Sequence, residues 1–235
     1  MLFFDEKIYS LLYNNINEGV FFMTKKDNNI KFKLKKEYIL PGIFLGLFLI
    51  WSILVLTGVI NKIDQFIESL VIGIRSGSFT KVMTNFTNLG GGYALVVICI
   101  LLFFFIRNKK IPLSITINLV TVFITSQLFK AIFRRPRPNG ISLGSATGYS
   151  YPSGHTMVSF AFYIYILYLL CKKINNKLVR LLLIIFTTLL LTLIAFSRIY
   201  LGVHYFSDIM GGLLLGTSYI FIFININKRG ETKWM

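Results

Sequence analysis

Apolar stretches free of charge recur along this chain, separated by short polar or charged segments. They run from Tyr38 to Asn61, Val82 to Ile106, Ile111 to Phe129, Pro138 to Cys171, Leu181 to Ser197 and Ile209 to Asn227. Each can supply roughly 17–25 bilayer-compatible residues, the length an α-helix needs to cross the hydrocarbon core. The fourth is too long for one crossing. Its first part, Asn139 to Ser150, is rich in Gly, Ser, Thr and Asn and reads as a loop, so the helix begins near Ser153. The pattern predicts an all-α, polytopic membrane protein with six transmembrane helices over residues 38–227. Residues 1–37 read as a cytoplasmic N-terminal segment and 228–235 as a cytoplasmic tail.

Composition agrees with this class, since 55% of the residues are hydrophobic. No cleaved signal peptide is evident, because Asp5, Glu6, Lys7 and Glu18 break any apolar run near the start. Met23 offers a second start, which leaves the translation of residues 1–22 open. Cys99 and Cys171, in or beside spans, read as unpaired small apolar residues.

A net charge of +16 would suit a nucleic-acid partner, but its distribution follows topology instead. With the N-terminus in the cytoplasm, Lys7, Lys25, Lys26, Lys31, Lys33, Lys35 and Lys36 lie inside, as do Arg107, Lys109 and Lys110. Lys172, Lys173, Lys177 and Arg180 join them, with Lys228, Arg229 and Lys233. That is the positive-inside bias. Outside fall Lys62, Arg75 and Lys81, and a cluster of Lys130, Arg134, Arg135, Arg137 and Arg198. The same topology places His155, His204 and Asp208 on that outer face. Asp208 is the one carboxylate between Glu68 and Glu231. Ionisable groups at a bilayer edge are costly and read as functional.

The spacing of these groups permits specific chemistry. His204 and Asp208, at i and i+4, share a helix face. The carboxylate can take one ring N–H and leave the other nitrogen's lone pair free for a nucleophile or base; the bland alternative is a polar cap at the membrane edge. Ser153 is a candidate N-cap, and Gly154 permits close backbone approach. The helix N-terminus beyond them suits phosphate oxygens. His155 is placed to protonate a leaving oxygen, or is simply an interfacial histidine. Lys130, Arg137 and Arg198 can hold non-bridging oxygens. Arg134 and Arg135 are read instead as lipid-headgroup contacts or span flanks. Two histidines and an aspartate could hold zinc, but the converging cations would repel a metal ion. The site is therefore read as cofactor-free and metal-free.

Lys130-(six residues)-Arg137-Pro138, then Pro152-Ser153-Gly154-His155, then Ser197-Arg198-(five residues)-His204-(three residues)-Asp208 closely resemble the three-part signature of the type 2 phosphatidic acid phosphatase family, which shares its core with vanadium-dependent haloperoxidases. All eleven signature positions match, across roughly residues 80–225. The resemblance implies that His204 is the nucleophile, Asp208 its orienting group and His155 the acid and then the base. It implies that Lys130, Arg137, Ser153, Gly154 and Arg198 hold the phosphoryl group. The expected activity is metal-independent hydrolysis of a lipid phosphate or diphosphate at the outer face of the cell membrane. Undecaprenyl pyrophosphate is favoured over phosphatidic acid or phosphatidylglycerol phosphate. The composition suggests a bacterial source. A lipid phosphotransferase with the same site and a non-catalytic lipid-binding or transport protein are the rivals; the spans argue against a haloperoxidase.

Two features outside the signature remain. Gly211, Gly212 and Gly216 form a small-residue face on the sixth span, which either seats that helix on a neighbour or serves a homodimer. Residues 61–81 read as a short amphipathic stretch over the site.

Overall fold

A computed structural model describes residues 36–232. The expectations for residues 1–22, and for most of the N-terminal segment, lie outside the described residues. After a 3₁₀ turn at Lys36–Tyr38 come α1 (Ile39–Leu56), α2 (Asn61–Gly73), α3 (Gly77–Leu89), α4 (Gly92–Phe105), α5 (Lys110–Phe133), α6 (Gly154–Lys173), α7 (Lys177–Tyr200) and α8 (Phe206–Thr232). Among the described residues no strand occurs. The last helix continues past Asn227 to Thr232.

Helices α1, α5, α6, α7 and α8 are each long and apolar enough to cross a membrane. The second expected span is not one continuous helix. It is the pair α3 and α4, bent by 50° at Gly90–Gly91. Close packing accounts for glycine at the bend. A Cβ on Gly90 would lie 2.4 Å from Ile194 Cγ2 on α7, and one on Gly91 would approach His155 Nε2. Counted as one crossing, the pair completes the six. Local signals set several helix starts. Ser76 accepts from Phe79 N, Ser153 from Thr156 N, and Asn176 from Leu178 N and Val179 N.

The core centres on α6. Met157, Ala161, Phe162 and Tyr165 are buried, and α6 packs chiefly on α8, α5 and α7. Phe48 of α1 meets Phe129 and Phe133 of α5 edge-on and stacks on Tyr151. The glycine face of α8 is used inside the chain. A Cβ on Gly212 would lie 2.8 Å from Ser153 O, and one on Gly211 would enter the Tyr151 ring at 2.5 Å. These glycines therefore seat α8 on the start of α6, and the dimer alternative loses its argument. Cys99 is buried and both cysteines are free.

Residues 61–81, expected as one amphipathic stretch, form α2 and the start of α3, separated at residues 74–76. Phe66 and Leu70 point out, while Asp64 and Val71 are buried. Lys172 and Lys228 both approach the Tyr168 ring, which puts the ends of α6 and α8 together. The opposite ends of these helices carry the outlying cations and the histidines.

Candidate active site

Lys130 sits in the last turn of α5, which Pro136 and Pro138 prevent from continuing. The helix ends on Arg134 in the left-handed conformation (φ 48°), with its N–H donating to Lys130 O at 3.0 Å. That reversal separates two adjacent arginines. Arg134 is left exposed, its Nε donating to Ala131 O at 3.0 Å. Arg135 turns inward.

The inward turn corrects the sequence reading of Arg135. It is neither a headgroup contact nor a span flank. Its Nη1 donates to Asp208 Oδ1 and to Ser207 Oγ, each at 2.7 Å, and its Nη2 to Asp64 Oδ2 at 2.8 Å. Its guanidinium also lies 4.3 Å from the centre of the Tyr205 ring. Burial alone would lower its pKa, but Asp208 and Asp64 together raise it.

The loop from Arg135 to Ser153 folds back over the helix ends. Ser150 donates through N to Arg135 O and through Oγ to Pro136 O. Arg137 is held by carbonyls: Nε donates to Gly148 O at 3.0 Å, Nη1 to Val203 O at 2.7 Å and Nη2 to Thr147 O at 2.8 Å. Lys130 Nζ donates to Tyr149 O at 2.5 Å.

His204 lies in the turn between α7 and α8. Its Nε2 is 3.2 Å from Arg137 Nη1, and its Nδ1 is 3.2 Å from Asp208 Oδ2. Arginine has no acceptor, so Nε2 must carry the lone pair and Nδ1 the proton. Asp208 is fully buried, and Oδ2 also accepts from Tyr205 N at 2.9 Å. The imidazole is thus oriented with its free lone pair beside Arg137. Burial pushes the His204 ring down to about 4 even though Asp208 opposes the shift, so it is neutral at ordinary pH.

A cavity of about 510 Å³ brings most of these groups together. Lys130, Arg137, Gly154, His155, Arg198 and His204 line it, with Ser126, Gln127, Gly90 and Gly92. Ser153 and Asp208 do not. Ser153 is fully buried; its Oγ caps α6 and its N–H donates to Asp208 O at 3.0 Å, tying α6 to the α8 start. A Cβ on Gly154 would approach Lys130 Cε at 3.3 Å, so glycine keeps that approach open.

The electrostatics favour an anion. No carboxylate lines the cavity. Among the described residues, Arg135 forms ion pairs with two carboxylates, whereas Lys130, Arg137 and Arg198 pair with none. Arg198 is 3% exposed; its Nη1 donates to Thr87 Oγ1 at 2.6 Å and its Nε has no partner. Ser126 Oγ is likewise buried and unpartnered. A buried guanidinium without a counter-charge is expensive, and an oxyanion in the cavity would relieve it.

Sequence reasoning missed Asp64 and Ser207. Asp64 carried a signal, as one of two acids with Glu68 on an amphipathic stretch; Ser207 carried none. The region 110–231 matches the family model described as the PAP2 superfamily. The chain is 29% identical over 190 residues to phosphatidylglycerophosphatase B of Bacillus subtilis, covering 77% of this chain and 92% of that one. It is also 29% identical over 206 residues to an undecaprenyl-diphosphatase of Sulfolobus acidocaldarius, covering 81% and 93%. The crystal structure of a transmembrane PAP2-type phosphatidylglycerolphosphate phosphatase from Bacillus subtilis superposes with a TM-score of 0.75 at 26% identity, covering 81% of this chain and 96% of that one. That of Aquifex aeolicus LpxE gives 0.55 at 27% identity, covering 67% and 92%.

Proposed function

Because the chain belongs to the PAP2 superfamily and is a phosphoric-ester hydrolase of the lipid phosphatase type, we propose that it cleaves a lipid phosphate or diphosphate through a phosphohistidine at His204, without a metal ion. The observation that carries this reading is the pairing pattern. The carboxylates are committed to Arg135 and His204, while three buried or half-buried cations face the cavity without a carboxylate.

The geometry supports the following steps. The phosphoryl oxygens lie among Lys130, Arg137 and Arg198, with the α6 N-terminus at Gly154 adding backbone N–H groups. His204 Nε2 attacks phosphorus. Asp208, accepting from Nδ1, stabilises the positive charge that develops on the ring. The bond to the lipid oxygen breaks as His155 supplies a proton to it. His155, now neutral, takes a proton from water as that water attacks phosphorus. The N–P bond breaks and inorganic phosphate leaves.

The site lies at the outer face. Arg107, Lys109, Lys110, Lys172, Lys173 and Lys177 occupy the other ends of the helices that carry it. Lys130 lies 20 residues along α5 from Lys110, about 30 Å at 1.5 Å per residue. A lipid can present its headgroup to this cavity while its chain stays in the bilayer. Undecaprenyl pyrophosphate, whose diphosphate is exposed on that face, heads the candidates, with phosphatidic acid and phosphatidylglycerol phosphate next. The relatives named for phosphatidylglycerophosphate and for undecaprenyl diphosphate bracket the same range.

The test is phosphate release by purified protein in detergent, from each of these lipids, with excess EDTA. Release from lipid diphosphate is expected, and His204→Ala should reduce it by orders of magnitude. Activity lost on chelation refutes the metal-free reading. Phosphoryl transfer to added lipid without inorganic phosphate would establish a phosphotransferase. Unchanged lipid binding and transport in an inactive wild type would leave a non-catalytic carrier.

A further inference from the structure

Lys130, Arg198 and His204 are buried polar groups that line the cavity, and Ser153 caps α6. Asp64 does neither. It is 2% exposed, lies on a helix outside the signature region and does not line the cavity. Its Oδ1 accepts from Ser207 N at 2.9 Å; its Oδ2 accepts from Ser207 Oγ at 2.5 Å and from Arg135 Nη2 at 2.8 Å. Every contact leads to the residue before Asp208 or to the cation on Asp208. The outer face of α2 carries Ile63, Phe66 and Leu70, all exposed, so this helix lies with its apolar side away from the site.

We propose that Asp64 is a positioning residue for the reaction, holding the Arg135 guanidinium away from full pairing with Asp208 so that Asp208 keeps its negative charge available to His204. The inference rests on the reading of His204 as nucleophile. A guanidinium offers a fixed fork of donors. In this structure one side of the fork goes to each carboxylate. Asp64, Arg135 and Asp208 together carry one net negative charge next to the imidazole.

That balance matters because the surroundings are cationic. Toward His204 and Asp208 face Arg135 and Arg137 from the loop, Lys130 from α5, Arg198 from α7 and His155 from α6; Tyr205 precedes α8, and Glu68 follows Asp64 on α2. With Asp64 neutral, the Arg135 charge falls on Asp208 alone. Asp208 then attracts the Nδ1 proton less, and Nε2 becomes a weaker base and nucleophile. The substrate cations are untouched, so binding stays.

The test is steady-state kinetics of Asp64→Asn beside Asp64→Glu, Glu68→Gln and His204→Ala. Asp64→Asn is expected to lower kcat by about 10–100-fold, the range for residues that orient a reacting group through another. KM should stay within about threefold, a shift of less than one factor of ten in binding. The acid limb of kcat/KM should move to lower pH, because removing a negative charge lowers the proton affinity of His204. Asp64→Glu, which keeps the charge, should restore part of kcat and the wild-type limb; Glu68→Gln should match wild type. A fall in kcat with the limb unmoved makes Asp64 a structural brace and overturns the proposal. So does failure of both Asp64 variants to give monodisperse protein. If His204→Ala keeps its activity, the nucleophile reading fails first. If His204→Ala is inactive while Asp64→Asn equals wild type, only the role of Asp64 fails.

Discussion

Arg134 and Arg135 are neighbours of identical chemistry, and the structure predicts opposite consequences for removing them. Arg135→Ala deletes the one cation between Asp64, 2% exposed, and Asp208, fully buried. Taking away one partner of a buried pair leaves an uncompensated charge and costs about 3–5 kcal/mol. Two carboxylates would be left facing each other, so the upper part of that range applies. For a chain of this size, roughly 2–4 °C of melting temperature accompanies each kcal/mol, giving a fall of roughly 10 °C or more. Arg134→Ala removes an exposed side chain whose own bond is local, to Ala131 O. Its cost should stay within about 0.5 kcal/mol. The buried thiol of Cys99 provides the assay, since its reaction with a fluorogenic maleimide during heating in detergent reports opening of the core. Turnover on the preferred lipid should fall in Arg135→Ala and hold in Arg134→Ala. Equal melting curves and equal rates for the two variants would refute the Asp64–Arg135–Asp208 bridge.

Two other outcomes are expected. The proposed mechanism needs His204 neutral, and burial sets it at about 4, so kcat/KM should rise through about pH 4 and show no His204 limb near 6.5; a limb at 6.5 would mean the ring is hydrated. The unfolded ring titrates near 6.5, so the fold loses stability as pH falls from about 6.5 to 4, by on the order of 3 kcal/mol, and His204→Gln should flatten that loss. Gly212→Ala should destabilise by about 1–3 kcal/mol and reduce kcat, because its Cβ meets backbone at Ser153 O, whereas Gly42→Ala, with open space around it, should do neither; matching thermal scans would remove the role given to α8 packing.

The hydrophobic pattern made the spans legible because a bilayer imposes length and apolarity on each helix, and those properties are local. The bend between α3 and α4 was not legible. Gly90, Gly91 and Gly92 permit many conformations, and the choice depends on Ile194, over a hundred residues away. Lys130, His155, Arg198, His204 and Asp208 stood out since each is costly in an apolar sequence. Lys130, His155, Arg198 and His204 line one cavity, whereas Asp208 lies behind His204, bonded to its Nδ1. Arg135 defeated the same logic. Its value in sequence is that of any cation at a span end, identical to Arg134. What distinguishes them is one residue in the left-handed conformation, which reverses the chain and sends the next side chain inward. Asp64 was hidden for a related reason: it is one of two acids on an amphipathic helix, and an acid there looks solvated until its partner is known. The residues that line the cavity announce themselves by type, whereas those that balance charge behind them are defined by whom they meet. Finding that second group requires coordinates, and Asp64 and Arg135 are its two members here.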